Sequence, residues 1–199
     1  MKTSRILASL ALISFVACSK PANKKVLVIG RGTLTVKENT ITMNDGSGYA
    51  EETVELAGEE PVAYNVTTPA GKSTITVPQE EGFYIINLKT DTLVGSQQIL
   101  GTDISSNRVI TQEELKVKID SLTKLTAGQN ASAAAHSYFI LPNQVSKITS
   151  NMEAKVFGPF TKIPSTLEKD KNGNMPEIYK FYTNTEMRQV IANLKKNTY

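Results

Sequence analysis

Between Lys25 and about Gly101, apolar residues recur at every second position in short runs, the period of a strand with one buried face. Leu34 and Val36 alternate with Thr33 and Thr35, Ile41 and Met43 with Thr40 and Thr42, and Val54 and Leu56 with Thr53 and Glu55. Val62, Tyr64 and Val66 continue the pattern, then Ile75 and Val77. "FYIINL" at 83–88 is apolar on both faces, which predicts a central strand. Turn formers separate the runs: "NDGSG" at 44–48, "PAGK" at 69–72 and "EEG" at 80–82. Glycine there permits positive φ and proline presets φ, so the chain can reverse at little cost. Strands at a spacing of roughly ten residues predict an antiparallel β-sandwich or small barrel, here spanning residues 26–106.

At Thr111 the period changes. "TQEEL" has the form of a capping box, Thr111 with Glu114 three residues on, and Leu115, Ile119, Leu122 and Leu125 then recur at helical spacing up to Gly128. "AGQNASAAA" at 127–135 is small and nearly featureless and reads as a linker or mobile loop. "HSYFIL", "NQVSKIT", "AKVF" and "EIYKFYT" read as strands, while Pro159 and Pro164 predict an irregular excursion over 158–176. The chain closes on a helix with Met187, Val190, Ile191 and Leu194 as its apolar face and Lys195 and Lys196 in its last turn. The expected fold is α+β and mostly β: the β-rich domain, then a smaller α+β unit over 107–199 ending in an amphipathic helix.

Composition changes the picture only at the N-terminus. The formal charge is +3, but Lys2 and Arg5 fall within residues 1–17, so the remainder is close to balanced. No basic run exceeds a pair, as at Lys24-Lys25, and the clustered stripe of a nucleic-acid reader is missing, so nucleic acid is not an expected partner. The sequence holds one cysteine, Cys18, so an internal disulfide is impossible.

Residues 1–17, "MKTSRILASLALISFVA", run from a charged start through an apolar stretch at 6–17 to small residues, the layout of a secretory signal. A membrane-spanning helix needs about 20 apolar residues, more than this stretch supplies. "FVAC", Phe15 to Cys18, resembles the lipobox of bacterial lipoproteins, with Phe15 where leucine is usual. The resemblance covers about the first 20 residues, and the abundance of Lys, Asn and Thr gives the chain a look similar to lipoproteins of Bacteroidota. It implies cleavage between Ala17 and Cys18, a diacylglycerol and further acyl chains such as palmitate on Cys18, and a membrane anchor. One acyl chain holds only marginally, whereas two or three hold firmly. Residues 18–25 then read as a polar tether. Ser19 after the cysteine, and no acidic residue over 19–25, imply the outer membrane and its periplasmic face rather than the cell surface.

Candidate chemistry is sparse. His136 is the sole histidine and no Gly-x-Ser-x-Gly motif accompanies it, so it reads as a solvated or hydrogen-bonded side chain. "DKNGN" at 170–174 has the alternate oxygens of a calcium loop, but Met175 and Phe181 stand where glycine and the closing glutamate belong. Gly30-Arg31-Gly32 follows "VLVI" without a third glycine and reads as a β-bulge. Paired acids such as Glu51-Glu52 point to opposite faces of a strand and make no two-carboxylate site. No catalytic residue, metal site or cofactor is expected.

The candidate ligand or partner surface is Tyr179, Lys180, Tyr182 and Tyr138. "YKFY" at 179–182 places Tyr179 and Phe181 on one strand face and Lys180 and Tyr182 on the other. The leading expectation is a non-catalytic, lipid-anchored envelope protein that binds a protein partner or holds part of an assembly. The alternatives are a glycan or peptidoglycan module, with those tyrosines and Tyr64 around one groove, and a hydrolase using separated acids or His136.

Overall fold

The computed structural model describes residues 22–99, 111–169 and 173–196. The leader, Cys18 and the Asp170 and Asn172 of the calcium-like stretch lie outside these residues. The elements are β1 (Ala22–Lys37), β2 (Thr40–Ala57), β3 (Val62–Thr68), β4 (Gly71–Val77), β5 (Gly82–Asn87), β6 (Leu93–Gln98), α1 (Gln112–Thr126), β7 (Ser137–Ile140), β8 (Gln144–Thr149), β9 (Lys155–Phe157), β10 (Ile178–Thr183) and α2 (Asn184–Lys196).

The first sheet runs β4-β3-β2-β1-β5-β8, and β4 approaches β8 so that the sheet curls into a nearly closed barrel. Val26, Val28, Ile41, Tyr64, Ile75 and Tyr84 fill its interior. The second sheet, β7-β6-β10-β9, packs on the barrel wall. Leu27, Ile29, Phe83 and Ile85 meet Tyr138, Ile140, Tyr179 and Phe181 between the two. Both β1, in its first half, and β5 are therefore buried on two faces, and the apolar run at 83–88 does form an internal strand. The far face of the second sheet carries both helices, with Val94, Ile119, Leu125, Met187 and Ile191 as their shared core.

The mostly β, α+β expectation holds, with three differences. Neither sheet is purely antiparallel: in the barrel β1 pairs with β5 and β2 with β3 in parallel, and in the second sheet β9 does so with β10. The division at residue 106 does not separate the sheets, because β6 joins the second sheet and β8 returns to the first. Alternation reports that a strand has a buried face but says nothing of the strand it will pair with. The tether is shorter than expected, since β1 starts at Ala22 and Lys24 is fully buried, its ammonium donating to the Glu60 carbonyl at 2.6 Å.

"NDGSG" is not a reversal between strands. Arg31 pairs with Tyr49 and Thr33 with Asn44, so residues 45–48 of β2 bulge opposite Gly32 alone. Gly32 has φ +81°, and a Cβ on Gly46 would come within 2.7 Å of Gly32 Cα. The bulge expected at these glycines is present, and it needs glycine on both strands. The 127–135 stretch folds into hydrogen-bonded turns rather than a featureless linker, with Ser137 N–H donating to the Ser132 carbonyl at 3.1 Å.

Thr111 and Glu114 form the expected capping box. A second one starts α2, where Glu186 N–H donates to Thr183 Oγ1 at 3.1 Å and Thr183 N–H to Glu186 Oε2 at 2.9 Å. "TNTE" carries that signal in the sequence. Val190, assigned to the apolar face of α2, is 38% exposed, because the helix buries mainly Met187 and Ile191.

Candidate functional site

A cleft of about 690 Å³ opens beside the β1–β2 bulge and beyond the end of β5, within the size range of about 300–1,000 Å³ typical of small-molecule sites. Its walls come from segments far apart in the chain. The β1–β2 bulge supplies Arg31, Asp45 and Tyr49, and the turn after β5 supplies Leu88, Lys89 and Asp91. The β3–β4 and β7–β8 turns, Phe160 of the irregular excursion, and Glu186 of α2 complete it.

Asn87 shapes the turn that carries Lys89. Its buried side-chain amide donates to the carbonyls of Asp91 and Ile140, each at 3.0 Å, and its Oδ1 accepts from Lys89 N–H at 3.0 Å. A buried amide with every partner in place is a rigid joint. Asp91 then accepts from Thr185 N–H at 3.0 Å and ties the same turn to the start of α2.

Tyr49 stacks on Phe160 with their planes 15° apart, and Tyr49 remains 60% exposed. Lys89 Nζ lies 5.2 Å from the Tyr49 centroid and 4.5 Å from that of Phe160. Both distances fall within cation–π reach, so the rings attract the ammonium and replace part of the water it loses. Burial holds the Lys89 ammonium below its ordinary pKa; Arg31 pushes the same way, and Glu186, Asp91 and Glu51 oppose it.

Phe160 is held in place from behind. Lys180 Nζ donates to the carbonyls of Gly158, Pro159 and Thr161, and Glu51 Oε2 accepts from the Thr161 hydroxyl at 2.9 Å. Burial lowers the pKa of Lys180, with Glu51 and Glu186 acting against the shift.

The expected surface of tyrosines is therefore not a surface. Tyr179 is fully buried, Tyr138 and Lys180 are nearly so, and Tyr182 is half-buried against the helices. The sheet has the barrel on one face and helices on the other, so both sides of "YKFY" are covered. Tyr64 lies inside the barrel. His136 is exposed with φ +48°, and its Nδ1 is 3.3 Å from the Tyr179 hydroxyl.

Among the described residues Tyr49 is an aromatic that faces solvent at a concavity; its one signal in the sequence is its place directly after a glycine-rich stretch. Among the described residues, no group of three or more His, Cys, Asp and Glu side chains could hold a metal ion, and no helix is long and apolar enough to cross a membrane. Comparison with protein-family models, curated proteins and solved structures found no match to this chain.

Proposed function

We propose that this chain is a lipid-anchored protein of a bacterial envelope that binds a saccharide, without catalysis, in the cleft beside Tyr49. The observation that carries the ligand-binding reading is a concave site containing an open aromatic face backed by a second ring. A ring of fixed orientation offers apolar area at low entropic cost, which suits a flat ligand better than a broad protein interface. Hydroxyl and amide side chains around it, Ser47, Thr68, Thr90 and Asn143, supply partners for sugar hydroxyls. The cleft moves the saccharide alternative ahead of the protein-partner reading.

The anchor reading rests on "FVAC" and the leader before it. Only residues 19–21 separate Cys18 from β1, a reach of roughly 14 Å. From Ala22 to Arg31 the strand covers about 30 Å. An anchored molecule thus holds the β1 start near the bilayer and presents the cleft away from it, toward the periplasm in the outer-membrane arrangement.

Both parts are tested on the protein purified from membranes in detergent. Mass spectrometry is expected to find Cys18 as an acylated first residue; an unmodified Cys18 refutes the anchor. An oligosaccharide array is expected to retain the protein, with bound ligand masses unchanged after long incubation and retention lost in Tyr49→Ala. Retention that is indifferent to Tyr49, or cleaved ligand, refutes the binding reading.

A further inference from the structure

We infer that the cleft selects a carboxylated saccharide, holding the acid group between Lys89 and Arg31 while a sugar ring lies on the open face of Tyr49. This rests on the saccharide-binding reading above and adds the charge of the ligand.

Two cations, Lys89 and Arg31, line the cleft. The ion pairs among the described residues involve Lys25, Lys124 and Lys147, and none involves Lys89 or Arg31. The ammonium of Lys89 has no hydrogen-bond acceptor among the described residues. It is half-buried against the two rings, which attract it but offer no hydrogen-bond acceptor for its N–H groups.

Asp91, Glu186 and Glu51 act on Lys89 through space, but none of them forms an ion pair with it or with Arg31. Asp91 Oδ2 accepts from Thr185 N–H, Glu186 Oε2 from Thr183 N–H, and Glu51 Oε2 from the Thr161 hydroxyl. An arriving carboxylate would give the two cations charge-assisted hydrogen bonds in a site already partly stripped of water.

The remaining lining separates the candidate anions. Asp45, Asp91 and Glu186 line the same cleft and oppose any added negative charge, a dianionic phosphate more than a singly charged carboxylate. The same Asp45 accepts hydrogen bonds from hydroxyl donors, which a pyranose presents and a purely aromatic acid lacks. A ring bearing both hydroxyls and one carboxylate satisfies the cations, the open Tyr49 face and the polar wall together.

The test is calorimetry on the detergent-purified lipoprotein at neutral pH and low salt, with a galacturonate trimer, its methyl ester, and uridine monophosphate as probes. The acid is expected to bind about tenfold more tightly than the ester, as one charge-assisted contact predicts. Lys89→Met and, independently, the exposed Arg31→Gln are expected to remove that preference, acid and ester then binding alike in each variant, with melting temperature nearly unchanged. Equal binding of acid and ester overturns the carboxylate site and leaves the saccharide reading standing. Binding of neither trimer overturns both. Tighter binding of uridine monophosphate than of the acid trimer overturns the carboxylate proposal in favour of a phosphate ligand.

Discussion

Lys180, in the middle of β10, donates to the carbonyl oxygen of Thr161 over 2.8 Å, and this bond joins the second sheet to the irregular excursion that carries Phe160. The same ammonium reaches the carbonyls of Gly158 and Pro159. One buried cation thereby fixes the wall of the cleft. Lys180→Met removes every one of these donors and leaves buried carbonyls unsatisfied, with an expected loss of about 3 kcal/mol in urea unfolding. Amide exchange over 158–161 is expected to quicken. Unchanged stability together with unchanged exchange would contradict the assignment.

Tyr138 predicts an alkaline weakness. Its hydroxyl donates to the Ile148 carbonyl between the two sheets, and burial, with smaller contributions from Tyr179 and Glu177, pushes its pKa up to about 12 from 10.0. The folded value exceeds the unfolded one, so the stabilisation is whole below pH 10 and is lost as pH rises toward 12. Two pH units correspond to about 2–3 kcal/mol. Burial shifts Tyr64, Tyr84, Tyr179 and Tyr182 in the same direction and steepens the decline. Tyr138→Phe, though less stable at neutral pH for want of the hydrogen bond, is expected to show a shallower alkaline limb in unfolding titrations. A limb of equal slope would reject this origin.

Tyr64 offers a substitution that strengthens the barrel. Its ring is fully buried, and its hydroxyl has no hydrogen-bond partner among the described residues. An unpaired buried hydroxyl costs more than the apolar atoms of phenylalanine. Tyr64→Phe is expected to raise unfolding stability by about 1 kcal/mol. A loss of that size in denaturant titration would mean that the hydroxyl is satisfied.

Gly32 is a point where the backbone itself sets the cleft. At φ +81° a side chain is strained, and a Cβ would collide with the Asn44 carbonyl in the facing bulge. Gly32→Ala is expected to cost about 2–4 kcal/mol and to displace Arg31 and Tyr49. The contrasting control is Gly48→Ala, where a Cβ meets nothing within 4 Å. Equal effects of the two substitutions in thermal melts would remove the argument from contact geometry.

Legibility followed the range of the interactions. "TQEEL" announced its helix because the side chain and backbone that cap it lie three residues apart. "PAGK" announced the β3–β4 hairpin for the same local reason, and "FYIINL" showed its depth because both faces were apolar. Lys24, by contrast, looked like tether because its polarity hid a buried stem and a carbonyl partner at Glu60. "YKFY" revealed its two faces, but Lys180 and Tyr182 became interior only when the helices and the 158–161 excursion covered them.

The sequence by itself determined most strand and helix positions and the glycine bulge, since each depends on residues close together along the chain. Tertiary structure alone decided that β8 would close the first sheet beside β5 and that β6 would leave it for the second. It also decided that Tyr49, Phe160, Lys89 and Arg31 would share one cleft. Those neighbours are chosen by the burial of matching faces across long stretches of chain, and periodicity in one stretch carries no record of which distant face will cover it.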